Sequence, residues 1–325
     1  MSATDPQALR IVFLGTPEFA VASLRALIEA NLQVVAVVTA PDKPAGRKKA
    51  LKVSAVKQFA RENDLPVLQP TNLKAPEFAA ELAAYKADLQ IVVAFRMMPE
   101  VIWNQPPMGT FNLHASLLPQ YRGAAPINRA VMNGEAETGV STFQLQHAID
   151  TGEVLLQKKI DIGPNENAGL VHDRLMDIGA QLVVATVVGL ASGNLRGTPQ
   201  SAIATMSSLK EAPKIFREDC RIQWHQPAKV IHNHVRGLSP YPAAWTHLIS
   251  PNGEKLLCKV GETALTTEVA TQAPGSILTD GKTYIKVATE EGLVALQQIQ
   301  PAGRRSLDIK AFLNGYALSS QWRFE

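Results

Sequence analysis

The chain has 325 residues, 32 basic against 29 acidic side chains and a formal net charge of +3. That length exceeds what one hydrophobic core organises, about 250 residues, and points to two domains, while 46% apolar and 19% charged residues exclude a disordered chain. Two cysteines, Cys220 and Cys258, exclude a disulfide framework and a multi-cysteine metal site, and no uninterrupted apolar run reaches the ~18 residues of a membrane span.

Asp5, Gln7 and Arg10 break up the apolar stretch that a secretory leader needs, so a soluble, untargeted protein is expected. The apolar run IVFLG ends at Gly15, and Thr16, Pro17 and Glu18 follow as an N-cap hydroxyl, a proline at the first helical position and an acid in the first turn. Ala20, Leu24, Leu27 and Ile28 recur at helical spacing, and Asn31 stops the helix before a strand over 34–38. Further strands are expected over 89–94, 111–114 and 140–145, with helices over 53–63, 76–85 and 126–132 between them. This alternation predicts a doubly wound, Rossmann-like α/β domain.

Helical periodicity returns over 168–190, and ASGNLRGTPQ then reads as a connector. The boundaries follow: a first domain over 1–191, a linker over 192–212 and a second domain over 213–325. In the second, a helix over 228–236 precedes short strands over 245–249, 255–260, 283–287 and 293–299, punctuated by PNG, APG, TDG and EEG. Short strands with closely spaced turns predict a small β-barrel.

GTPEF after the first strand lacks the G-x-G-x-x-G spacing of a dinucleotide site, which weakens a dehydrogenase reading. In FNLHASLLPQYRGAAPINRA, Asn112 and His114 lie two apart on a strand and point to one side. Asparagine offers a neutral donor to an oxyanion, histidine moves protons, and Asp150, after another predicted strand, could orient the imidazole. Together they suit acyl transfer, and no serine or cysteine nucleophile is needed if the acceptor is an amine. Spacing alone favours a structural Asn-x-His pair, and Asp150-Thr151-Gly152 also reads as an ordinary turn.

Residues 43–57 hold six positive charges and no acid, which fits a solvated loop and a nucleic-acid contact equally. His232 and His234, two apart on a helix, do not share a face. These, the other histidines and the four tryptophans are expected to pack or to lie on the surface, and no metal is expected.

GTPEFA (15–20), PDKPAGR (41–47), NLHASLLPQYRGAAPI (112–127) and DTGEVLL (150–156) stand in the order and spacing of the methionyl-tRNA formyltransferases. IHNHVRGLSPYPAAW (231–245) and GRRSLDIKAFLNG (303–315) resemble that family's second domain. The resemblance implies transfer of the formyl group of 10-formyltetrahydrofolate to the α-amino group of initiator methionyl-tRNA, giving the formylated tRNA that starts translation. Asn112, His114 and Asp150 match the family's catalytic set, and Ser116, Leu117, Leu118 and Pro119 its folate-contacting segment. The resemblance also implies a folate-dependent formyltransferase catalytic domain followed by an OB-fold-like barrel that holds the tRNA. The basic loop, with Lys43, Arg47, Lys48, Lys49 and Lys52, would reach the tRNA acceptor end. A cytoplasmic monomer without metal or membrane partner is implied.

Phe95 and Arg96 replace the Tyr-Gly pair of most members, and Arg304-Arg305-Ser306 replaces a lysine-rich tail. The rival readings are a formyltetrahydrofolate hydrolase, a transferase acting on an amino-sugar or ribonucleotide amine, and a non-catalytic RNA-binding protein.

Overall fold

The computed structural model describes residues 4–45, 50–203 and 208–325. They divide into two compact units: Met1–Gly123 with Gly139–Ile160 and Asp173–Glu211, and Ala124–Thr138 with Asp161–His172 and Ala212–Glu325.

The first half of the chain runs β1 (Ile11–Gly15), α1 (Glu18–Glu29), β2 (Val34–Val38), β3 (Lys43–Ala45), β4 (Ala50–Lys52), α2 (Ala55–Glu62), β5 (Val67–Leu68), α3 (Pro76–Ala83), β6 (Leu89–Val93), α4 (Glu100–Trp103), β7 (Thr110–His114) and β8 (Arg122–Gly123). It continues through α5 (Pro126–Met132), β9 (Glu137–Gln144), β10 (Val154–Asp161), α6 (Ala168–Ala191) and α7 (Gln200–Ile203).

Seven strands form one sheet in the order β10-β9-β7-β6-β1-β2-β5. β1, β2, β5, β6 and β7 pair in parallel, and β9 runs antiparallel to β7. The chain winds outward from β1 to β2 and β5, then returns to β6 and β7 on the other side. The carboxyl ends of β1 and β6 therefore flank the switch point where such sheets bind ligands. β1 and β6 are buried along their whole length, as their unbroken apolar text requires of strands covered on both faces.

Two local expectations need correction. Pro17 has ψ 177°, so it is the N-cap; the helix starts at Glu18, and Thr16 is not the capping residue. Residues 154–161, which carry no strand expectation, form β10 at the edge of the sheet. Asn31 does end α1, at a left-handed φ of 56°. α6 is long and apolar enough by length and composition to cross a membrane, but Asp173, Arg174 and Asp177 interrupt it. Its Val171, Leu175, Val183 and Val187 are fully buried, as in a core helix.

The chain continues through β11 (Glu211–Ala212), α8 (Ala228–Leu238), β12 (Ala244–Ile249), β13 (Lys255–Leu265), β14 (Ile277–Thr279), β15 (Ile285–Ala288), β16 (Leu293–Pro301), β17 (Leu307–Asp308), α9 (Ile309–Gly315) and β18 (Arg323–Phe324). The second unit holds a sheet in the order β14-β15-β16-β13-β12-β18, with β17 on β16. Register shifts in β13 at Val260/Glu262/Thr263 bend the sheet. Its two edges meet through an antiparallel bridge between Ser276 and Arg323 and a hydrogen bond from Phe324 N–H to Gly275 O of 2.8 Å. The result is a nearly closed antiparallel barrel filled by Trp224, Val260, Val287, Ile299 and Phe312, with Ile231 and Val235 of α8 in the same core.

Candidate active site

β7 presents Asn112 and His114 on one side, and across the pair with β9 they face Phe143 and Ser141 respectively. His114 is the last residue of the strand and is 7% exposed. Its Nε2 lies 2.8 Å from the backbone oxygen of Tyr121, its Nδ1 lies 3.8 Å from Asp150 Oδ2, and its ring meets Phe143 edge-on at 85°. The 2.8 Å contact is a hydrogen bond and the 3.8 Å contact is too long for one. The Tyr121 carbonyl therefore fixes the ring, and Asp150 acts on it through its field. Nε2–H donates to Tyr121, which leaves Nδ1 as the nitrogen free to exchange a proton, with a carboxylate beside it.

Asp150 is itself held in place. Its φ is 53°, the left-handed region, and its Oδ2 accepts the Gly123 N–H at 2.9 Å. Two residues on, a Cβ at Gly152 would lie 1.6 Å from Gln144 O, so only glycine lets the turn pass this close to β9. Gln200 Nε2 donates to the carbonyls of Asp150 and Gly152, each at 2.8 Å.

Asn112 Oδ1 is buried with no hydrogen-bond partner among the described residues. A buried amide oxygen left without a donor is costly and calls for an explanation such as a catalytic role or a bound group. His114 and Asp150 thus meet at the carboxyl end of β7, with Asn112 two residues before His114 on the same side of the strand.

Ser116 to Pro119 form a tight loop with a cis Leu118–Pro119 bond. Ser141 Oγ donates to Ser116 O at 2.6 Å and accepts from Leu118 N–H at 3.1 Å. Gln157 Nε2 donates to Leu118 O at 2.9 Å, and Ser116 Oγ donates to Gln120 O at 2.6 Å. Ser116 and Leu118 are buried, Leu118 against Phe143 and Val154, while Leu117 is half-buried. The loop is built to hold a backbone shape, with its side chains mostly turned inward.

Phe95 and Arg96 follow β6. The Arg96 guanidinium lies over the Phe95 ring at 5.5 Å and donates to Thr71 O at 3.3 Å and to Pro70 O. Its charge is directed to the loop after β5.

In the basic segment, β3 and β4 pair antiparallel, with Lys43 opposite Lys52, and both lysines are exposed. Arg47, Lys48 and Lys49 lie outside the described residues. Lys57 departs from the group of six charges. It sits in α2, is 5% exposed, and pairs with Asp42 Oδ2 at 2.5 Å. Hydrogen bonds from Lys57 and then Gln69 hold the Asp42 carboxyl below its ordinary pKa.

His232 is buried against Thr263 Oγ1 at 3.0 Å, and burial lowers the pKa of both His232 and His234. Among the described residues no three of His, Cys, Asp and Glu gather as a metal site. Trp245 is 9% exposed, donates from Nε1 to Arg217 O at 2.8 Å, and is flanked by Arg217 and Arg221 at 5.7 and 5.8 Å.

Two contributors escape a reading of side-chain chemistry. The Tyr121 carbonyl is backbone and has no side-chain signature. Gln200 lies in a stretch that reads as linker, where only the Thr-Pro pair before it, typical of a helix start, marks it.

Residues 9–187 match the family described as Formyl transferase, and residues 214–317 match Formyl transferase, C-terminal domain. The chain is 51% identical over 317 residues to the methionyl-tRNA formyltransferase of Bacteroides fragilis, covering 98% of each chain. It is 54% identical over 310 residues to that of Parabacteroides distasonis, covering 95% of this chain and 96% of the relative. In fold it resembles an N-formyltransferase of Helicobacter canadensis solved with folinic acid and dTDP-3-aminofucose, with TM-score 0.65, 19% identity and coverage of 90% of this chain and 99% of that one. HypX of Aquifex aeolicus, solved with tetrahydrofolic acid, matches with TM-score 0.60, 19% identity and coverage of 94% of this chain and 47% of the other. With both formyl transferase domains in order and about half its residues shared with them over nearly its full length, this chain belongs to the methionyl-tRNA formyltransferase family.

Proposed function

We propose that this protein formylates the α-amino group of methionyl-initiator tRNA, with Asn112, His114 and Asp150 as its catalytic residues. The observation that carries the proposal is an imidazole nitrogen 3.8 Å from a half-buried carboxylate, on the same strand side as an asparagine whose buried Oδ1 lacks a partner among the described residues. The orphaned Asn112 Oδ1 and the preformed 116–119 loop fit a polar heterocyclic donor, and 10-formyltetrahydrofolate supplies the formyl group when bound.

Asn112 Nδ2 donates to the formyl oxygen as negative charge builds there, an effect worth roughly 2.7–4 kcal/mol at such a site. His114 Nδ1 moves a proton between the incoming amine and the departing nitrogen, a contribution of about 10²- to 10⁴-fold. Asp150 Oδ2 stabilises the charged ring while it does so. Ser116 to Pro119 hold the donor through backbone groups, and the buried Leu118 and Phe143 keep water from the transferable group.

Lys43 and Lys52, with Arg47, Lys48 and Lys49, bind the tRNA acceptor end. Like charges directly opposite on paired strands repel, so the Lys43–Lys52 pair is relieved by a phosphate. The 213–325 region assists in holding the tRNA, and the chain works as a cytoplasmic monomer.

One assay tests the proposal: purified protein with 10-formyltetrahydrofolate and charged initiator tRNA, followed for acid-stable formyl-methionine. Formyl-methionine formation supports it. Folate release without formyl-methionine overturns it in favour of a hydrolase, and tRNA binding without turnover in favour of a binding protein.

A further inference from the structure

We propose that Gln200 is a positioning residue for the transfer, clamped by Arg122 and acting through Asp150. This rests on Asp150 being part of the catalytic set.

Asp150 holds a left-handed φ of 53°, which a non-glycine residue keeps only where its surroundings over-determine it. Gln200 supplies that constraint. It is 4% exposed, and its single NH₂ group donates to the carbonyls on both sides of the turn, Asp150 O and Gly152 O, each at 2.8 Å. Its Oε1 accepts from Arg122 Nε at 3.0 Å and Nη2 at 2.6 Å. The guanidinium fixes the amide's sense, because a flipped amide would set NH₂ against Arg122 and oxygen against two carbonyls.

The constraint closes on itself. Arg122 precedes Gly123, whose N–H donates to Asp150 Oδ2 at 2.9 Å. Backbone and carboxylate of Asp150 are therefore gripped by neighbours that also grip each other. The segment bearing Gln200 is fastened to β10 by paired hydrogen bonds between Thr198 and Val154 of 2.8 and 2.9 Å. Part of what reads as linker thus sets the 3.8 Å spacing between Asp150 Oδ2 and His114 Nδ1.

Gln200→Glu tests this, because it keeps an acceptor for Arg122 and removes both donors to the turn. We expect kcat to fall about 10- to 100-fold with both KM values little changed, and the thermal midpoint to fall as well, since an oxygen then faces the two turn carbonyls. In an Asp150→Asn background the same substitution should have almost no further effect, since residues acting as a unit are non-additive. Arg122→Lys, which keeps the charge and loses the two-point grip, should lower kcat in the same direction and provides the test if Gln200→Glu fails to fold. Wild-type kcat in the Gln200 and Arg122 variants, or an undiminished loss in the Asp150→Asn background, overturns the proposal and leaves the catalytic set standing. Normal turnover in Asp150→Asn alone overturns the catalytic assignment and the proposal with it.

Discussion

His114 Nδ1 stands 3.8 Å from Asp150 Oδ2 with no hydrogen bond between them, while the opposite ring nitrogen is bonded to a backbone carbonyl at 2.8 Å. The two residues are coupled by charge and spacing, so removing the charge without removing the shape is the informative change. Asp150→Asn keeps an oxygen for the Gly123 N–H and leaves the ring anchored to Tyr121. Its kcat should fall by about 10²-fold or more while tRNA binding, read by filter retention, stays within about twofold. Asn112→Ala should cost a comparable 10²- to 10³-fold, roughly, through loss of the oxyanion donor.

Asp42 and Lys57 form a pair in which the lysine is the buried member. The carboxyl is held below its ordinary value of 3.8. The unfolded state therefore binds the proton more readily, and the pair's stabilisation is present above the ordinary value and lost as pH falls through the depressed one. Asp42→Asn should lower the thermal midpoint at neutral pH by leaving Lys57 unpaired. The gap from wild type should close in acid, as calorimetry across about pH 2 to 7 would show. A gap unchanged to the acid limit would mean that the ion pair contributes nothing.

The same pair sets Lys57 apart from the exposed lysines of the basic segment. Lys52→Ala should reduce the slope of log K against log salt for tRNA binding by about 1, the signature of one lost phosphate contact. Lys57→Met, at a lysine already neutralised by Asp42, should leave that slope unchanged.

Much of the fold is legible in the text because its strands are buried on both faces. Residues 34–38 and the helix 126–132 stand where the apolar run and the proline start place them. β10 was hidden by Gln157, Lys158, Lys159 and Asp161: it is an edge strand, and edges carry charge to avoid pairing with other chains. α9 had a readable signal, since Asp308 caps it by accepting the Ala311 N–H at 2.8 Å. The candidate site was legible only in its side chains. Tyr121 contributes an oxygen that every residue possesses, and Gln200 acts on residues 48 and 50 positions away. The charge tally over 43–57 missed Asp42 because the partner of Lys57 lies one residue outside the window.

Barrel closure in the second unit depends on one backbone conformation. Gly275 has φ +88° and receives the Phe324 N–H at 2.8 Å. A Cβ there would come within 2.3 Å of Phe324 O, so alanine meets both a disfavoured φ and a backbone clash that no rotamer relieves. Gly275→Ala should destabilise by more than about 1 kcal/mol, visible as a lower urea midpoint for the second unit. The loss should arise at the seam, where β18 has to withdraw from Ser276 for the new methyl to fit. Amide exchange at Phe324 should therefore accelerate before that of Val260 and Ile299 in the barrel core. Equal acceleration throughout would mean that the closure is not an independent weak point, and unchanged stability would mean that the edges meet without this contact.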